Sequence, residues 1–237
     1  MGDLKWPKRI VIVRHGYSQM NEAHDIANLL SEDKQPVDLL GNTRDMDVPL
    51  TKEGHRQASE TGKLLAKEHA FDIAFSSPYK RCVDTLRYIL AQFNDPVRVF
   101  MDSRLRERET GWMYGMTAGV IKAKFPDEAG RRNRDGRYWY RPPGGENFPA
   151  VEQRVHSFLD KLHRDHAGQN VLVATHGITY LLFRALFEHL GEKELMQIDT
   201  ENPVPNCGMQ VYEIDTSKYP EGRMKLKEYN NTAYSKK

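Results

Sequence analysis

Apolar positions arrive in two rhythms along this chain. Short unbroken runs, such as Ile10 to Val13 and Val171 to Ala174, lack polar alternation, which is how strands buried on both faces read. Elsewhere apolar residues return every three or four positions, the spacing of one helical face. These rhythms predict strands at 9–14, 71–76, 97–100, 171–175, 209–214 and 224–229, and helices at 52–68, 78–92, 118–124, 147–166 and 177–189. Strands alternating with helices imply an α/β fold. It would be a three-layer sandwich whose mostly parallel central sheet carries helices on both faces, joined by right-handed crossovers. Residues 22–50 and 126–146 follow neither rhythm and are expected to be irregular loops, which in a compact domain are usually functional or disordered.

No internal period, low-complexity tract or Gly/Ser/Pro-rich linker interrupts the chain, so residues 1–237 read as one domain. The 39% hydrophobic content suffices for one packed core. MGDLKWPKR at the N-terminus has no apolar stretch of signal-peptide length, and no later run approaches a membrane span, so a cytoplasmic location is expected. Cys82 and Cys207, the only two cysteines, are too few and too far apart for a disulfide framework or a zinc ribbon. A net charge of +2 argues against broad adhesion to nucleic acid but leaves room for a local basic patch.

The ends of the apolar runs concentrate the chemistry. Arg14, His15 and Gly16 follow the first, and His176 and Gly177 follow the fourth. Ligands of open α/β sheets gather outside the carboxyl ends of strands, so two histidines delivered by two strand ends suggest one shared site. In FDIAFSSPYKRCVDTL (71–86) a strand runs into a helix, with Ser77 as the expected N-cap and Pro78 as a first helical residue. Arg81 then falls in the first turn, where unpaired N–H groups and the positive dipole end already favour an anion. His163 and His166 have helical spacing but lie at a polar helix end without further ligands nearby in sequence, so no metal site is expected. PPGGEN lacks the Lys-Ser/Thr ending of a phosphate-binding P-loop and reads as a turn before a helix, with Glu146 free to cap that helix or touch the site.

Taken together these segments carry a resemblance. RHGYSQMN (14–21) is similar to the RHGxSxxN signature of the histidine phosphatase superfamily, also called the phosphoglycerate mutase-like family. DVPLTKEGHRQA (47–58), SSPYKRCVDTL (76–86), LRERETGWMYG (105–115), PGGENFPAVEQRV (143–155), VATHG (173–177), VPNCGMQVYEID (204–215) and YNNTAYS (229–235) resemble its other segments, in order. The resemblance implies that His15 is the nucleophile, that Arg14 and Arg81 hold the phosphoryl oxygens, and that His176 donates a hydrogen bond to the group in transfer. Strand order alone would leave the two histidines equal. Glu107 is implied as the acid that protonates the leaving oxygen and later deprotonates water, with Glu109 its rival two residues on. Such an acid needs a raised pKa, from partial burial or from the arriving phosphate. Ser18, Asn21 and Gly177 are expected substrate contacts, although Ser18 and Asn21 could equally satisfy a turn. Tyr17 stands where the family often has an acidic residue. No cofactor is implied, because arginines and histidines supply the positive charge that metal-dependent phosphatases take from ions.

The family divides into phosphatases and mutases. Its bisphosphoglycerate-dependent mutases carry a long insertion between the acid and the second histidine, whereas only 69 positions separate Glu107 from His176 here. PGGENF and NNTAY also resemble the phosphatase branch, while Arg131 and Arg132 resemble a mutase arginine pair. The expected function is therefore a metal-independent phosphomonoester hydrolase working through a phosphohistidine on small, acidic phosphorylated substrates. A bisphosphoglycerate-dependent mutase is the alternative. A non-catalytic phospholigand-binding protein is disfavoured because Arg14, His15, Arg81, Glu107 and His176 are all present. In GRRNRDGRYWYRPPGG (130–145), Arg131 and Arg137 are expected to reach a second acidic group of the substrate, unless the run simply faces water. Neither nucleic acid nor membrane is an expected partner.

Overall fold

β1 (Arg9–Arg14) and β4 (Asn170–Thr175) lie side by side at the centre of a six-stranded sheet, as unbroken apolar runs require. The computed structural model describes residues 4–30, 36–41, 43–218 and 220–234. Of the expectations above, Met1 to Asp3, positions 31–35 and 42 of the first irregular stretch and Ser235 of the last family segment lie outside the described residues.

With β2 (Ile73–Ser76), β3 (Arg98–Met101), β5 (Met209–Asp215) and β6 (Arg223–Asn231), the strand order is β3-β2-β4-β1-β5-β6. β1 to β4 run parallel, whereas β5 pairs antiparallel with β1 and β6 antiparallel with β5, so the sheet is mixed. Successive side chains of a strand point to opposite faces. Ile10, Ile12, Val171 and Val173 therefore meet α7 (Phe148–Asp165) and α8 (Gly177–Glu188) through Phe158, Leu162 and Phe183. Val11, Val13, Leu172 and Ala174 meet α3 (Lys52–Glu68) and α4 (Lys80–Leu90) through Leu65, Leu86 and Ile89. Each fully buried Val, Leu or Ile contributes about 1.5–3 kcal/mol by leaving water, so both faces hold the strand ends rigidly. Among the described residues no helix is long and apolar enough to cross a membrane.

The stretches expected to be irregular are largely helical. α1 (Gln19–Leu30) and α2 (Pro36–Leu40) occupy much of the first, and α6 (Pro126–Trp139) follows α5 (Ala118–Lys124) in the second. α6 buries none of its residues and so has no apolar period to read. It kinks at Gly136, whose φ of 74° falls in the region glycine tolerates. α9 (Glu192–Glu201) is a further helix that the periodicity did not predict. α4 begins at Lys80, later than expected, and Tyr79 rather than Ser77 is its N-cap, without a side-chain cap bond. His163 stacks edge-on against Trp6 and His166 against Phe75, in separate surroundings.

Candidate active site

Parallel register brings the two histidines together. Arg14 pairs with Thr175 and Ser76 with Ala174, so the residues that follow, His15, His176 and Ser77, emerge side by side at one end of the sheet. The His15 N–H still donates to the Thr175 carbonyl (2.9 Å), extending the ladder one step. Both rings are buried and meet edge to face, with centroids 5.2 Å apart.

The turn after β1 needs glycine on both sides of a close approach. A Cβ on Gly16 would lie 2.7 Å from the Gly54 carbonyl oxygen, and one on Gly54 would lie 2.2 Å from that of Tyr17. The first turn of α3 thus packs backbone to backbone on the His15 loop. Thr85 accepts from the Gly16 N–H (2.9 Å), Gln57 accepts from the Tyr17 N–H (2.9 Å), and Asn206 donates to the His15 carbonyl (3.1 Å). Three distant segments therefore fix the position of one imidazole.

That imidazole has a defined tautomer. His15 Nδ1 bonds the Gly16 carbonyl at 2.8 Å, and a carbonyl only accepts, so Nδ1 carries the proton and Nε2 keeps the lone pair. Burial, followed by the charges of Arg81 and Arg14, holds its pKa well below the usual histidine value, so the ring is neutral at physiological pH. His176 is held down in the same way by burial, Arg81 and His15. Its Nε2 lies 2.8 Å from the Ser77 hydroxyl and 3.3 Å from the Cys82 sulfur. Its Nδ1 is buried and has no hydrogen-bond partner among the described residues.

The two arginines flank the pair. Arg14 donates through Nη1 to the Val204 carbonyl (2.6 Å), while its buried Nε has no partner among the described residues. An unpaired buried polar group costs about 1–3 kcal/mol. Two of them beside a neutral histidine fit the equatorial oxygens of a phosphoryl group. Arg81 is 5% exposed, stacks on Tyr79, and donates to both the backbone and the carboxylate of Asp45 at 2.7 and 2.8 Å.

Glu107 completes the group. Its Oε1 accepts from the Arg108 N–H (2.8 Å), and Oε2 lies 3.7 Å from the point where a Cβ on Gly177 would stand, with Arg14 Nε at 3.8 Å from that point. Glu109 is half exposed and pairs with Arg106 at 3.0 Å. The face of Glu107 opens into a cavity of about 250 Å³ lined also by Arg14, Arg137, Gly177, Leu181, Asp199, Asn202 and Tyr229.

The remaining expected contacts divide. Ser18 and Asn21 form a closed turn, in which Ser18 N and Oγ donate to Asn21 Oδ1 (3.1 and 2.9 Å) and Asn21 N donates back to Ser18 Oγ (3.3 Å). These atoms start α1, and Asn206 donates to the same Asn21 oxygen at 3.1 Å, joining that turn to the His15 loop. Arg137 reaches the cavity but is already paired with Asp199 at 2.7 Å. Arg131 does not reach it: half exposed, it pairs with Glu128 one turn away at 2.8 Å. Among the described residues no cluster of three His, Cys, Asp or Glu side chains is placed to hold a metal ion.

Several further residues hold the site together that the sequence does not assign to it. Asp45 on Arg81, Asn206 under His15 and Asp199 on Arg137 act across long sequence separations, where no local pattern marks them, and Ser77, expected as a helix cap, instead meets His176 at 2.8 Å. Asn206 was visible only as part of a matching segment.

The chain is similar to known proteins over nearly its whole length. A family model described as histidine phosphatase superfamily (branch 1) matches residues 10–232. A 2,3-bisphosphoglycerate-dependent phosphoglycerate mutase of Rhizobium etli is 32% identical over 209 residues, covering 86% of this chain and 90% of its own. Among solved structures, the α-ribazole phosphatase of Shigella flexneri superposes with a TM-score of 0.70 at 20% identity, covering 96% of this chain and all of the other. A mycobacterial glucosyl-3-phosphoglycerate phosphatase, solved with inorganic phosphate, gives 0.69 at 23% identity over 95% of this chain and 98% of its own. At these identities the structural likeness establishes the fold.

Proposed function

This chain belongs to the histidine phosphatase superfamily (branch 1) and is an enzyme of that type; from that premise we propose that it hydrolyses small phosphomonoesters through a phosphohistidine on His15. The observation that carries this reading is the His15 to Gly16 hydrogen bond, which leaves a neutral Nε2 lone pair beside two arginines. Arg14 and Arg81 neutralise the phosphoryl oxygens, with Arg81 exchanging Asp45 for the substrate. His15 Nε2 attacks phosphorus in line as the ester oxygen leaves. Glu107 protonates that oxygen, so the departing group is an alcohol. Water, deprotonated by the same carboxylate, then attacks the phosphohistidine, releasing inorganic phosphate and neutral His15. His176, accepting from Ser77 at Nε2, donates from Nδ1 to the transferring group. No metal takes part in this scheme, and no nucleic acid or membrane partner is needed.

Mutase activity is the second reading, favoured by the name of the Rhizobium relative. That relative is matched over 90% of its length, so the short Glu107 to His176 segment does not by itself separate the two activities. Against it, Arg131, half of the mutase-like arginine pair, is turned away onto Glu128. The deciding measurement is phosphate release against isomerisation of phosphoglycerate, with and without bisphosphoglycerate. Net phosphate release supports hydrolysis, and rapid isomerisation that depends on bisphosphoglycerate would replace this reading with the mutase.

A further inference from the structure

The loop that carries Glu107 lies between β3 and α5, in neither strand nor regular helix, yet its backbone is held by side chains of α7 and of the turn before it. Arg154, two turns into α7 and 9% exposed, donates through Nη1 to the carbonyls of Arg104 and Arg106 (both 2.7 Å) and through Nη2 to the carbonyl of Glu107 itself (3.1 Å). The same guanidinium meets Glu146 through Nε (3.0 Å) and Nη2 (2.9 Å). Glu146 in turn accepts from the Glu109 N–H (3.1 Å) and from Arg106 (3.1 Å), and its backbone N–H donates to the Glu109 carbonyl (2.8 Å).

We infer that Glu146 and Arg154 are positioning residues for proton transfer by Glu107, an inference that rests on the hydrolase reading above. They bracket Glu107: Arg154 holds the carbonyls at and before it, and Glu146 holds the backbone N–H two residues after it. A buried ion pair alone is weak support for stability, because desolvation offsets its Coulombic gain. This pair does something more specific. Its bonds end on the backbone of the residue that must meet the leaving oxygen, and a misplacement of about 1 Å at such a group costs on the order of a hundredfold in rate. A lysine at position 154 could not replace the planar fork, since one ammonium cannot span three carbonyls and a carboxylate.

The test uses the dependence on the leaving group. Proton donation matters for an alkyl phosphate, whose alkoxide leaves poorly, and little for 2,4-dinitrophenyl phosphate, whose phenolate leaves unaided. kcat/KM for both esters is measured in the wild type, Glu107→Gln, Glu146→Gln and Arg154→Lys, with cooperative melting as the check on folding. The expected result is a loss of roughly 10- to 100-fold on the alkyl ester and less than about threefold on the aryl ester, in the pattern set by Glu107→Gln. Equal losses on the two esters, or no loss on either, would overturn the inference. So would failure of both positional variants to fold, which would assign the pair to the fold rather than to the acid. A Glu107→Gln enzyme indifferent to the leaving group would remove Glu107 as the acid and overturn the inference with it, whereas a wild type that turns over neither ester would instead overturn the hydrolase reading.

Discussion

The rings of His15 and His176 stand edge to face with centroids 5.2 Å apart, each delivered by the carboxyl end of one of two adjacent parallel strands. Only His15 has its Nδ1 committed to a backbone carbonyl, so the two buried imidazoles are not equivalent. Acid quench after incubation with labelled phosphomonoester is expected to trap an acid-labile, base-stable phosphoryl group on His15. His15→Ala is expected to lower turnover by several orders of magnitude while the protein still folds. Label recovered on His176, serine or aspartate would refute the assignment.

The same burial makes stability depend on pH. His15 and His176 have folded-state pKa values well below the ordinary histidine value, with half-buried His24 and His69 lowered as well. The unfolded chain therefore binds more protons than the folded one once the pH falls below about 6.5, and stability drops as the pH falls through that value. The melting temperature is expected to be level above pH 7.5 and to decline by pH 5.5. His15→Asn should flatten part of this decline, and a slope unchanged by that substitution would count against a neutral buried His15.

Gly177 tests the approach to the acid. A Cβ there would meet nothing closer than 3.7 Å, so Gly177→Ala fits the fold without strain. The added methyl would stand 3.7 Å from Glu107 Oε2 and 3.8 Å from Arg14 Nε, in the wall of the cavity. KM is expected to rise roughly tenfold, about 1.4 kcal/mol, with the melting temperature unchanged. An unaltered KM would show that substrate does not pass this wall.

The two rim arginines are expected to behave differently. Arg131→Ala, which removes a half-exposed pair with Glu128, should leave kcat/KM within about twofold for any ester, since such pairs are worth little. Arg137→Ala strips the cavity of a cation and leaves Asp199 unpaired, so esters with an acidic leaving group should suffer a loss of roughly tenfold or more relative to neutral ones. Equal effects of the two substitutions across an acidic and neutral panel would remove the cavity from substrate recognition.

The sequence made the central sheet and the paired histidines readable for a physical reason. Ile10 to Val13 and Val171 to Ala174 are buried on both faces, so every residue of each run is apolar and the pattern survives without tertiary information. α6 shows the opposite case. With no buried residue it has no apolar stripe, so residues 126–146 read as a loop; Pro126 at its start and Asp127 and Glu128 in its first turn are helix-start features too local to outweigh the missing period. The antiparallel course of β5 was equally hidden, because alternation of elements does not encode direction. Within the site, His15, Arg81 and Glu107 could be matched to a family pattern, but the Arg81 pair with Asp45 and the Arg154 hold on the Glu107 loop arise only when the chain is folded.

The cavity beside Glu107 has walls of two origins. Arg14 and Gly177 adjoin the ends of central strands, whereas Arg137 and Asp199 come from α6 and α9, helices that lie outside the sheet. Heritable change is thereby partitioned. On the reading proposed above, substitution of Arg137 or Asp199 in the outer helices alters one wall of the cavity without touching the bonds that fix His15, whereas loss of Arg14 at a strand end removes a cation that every phosphomonoester is expected to meet.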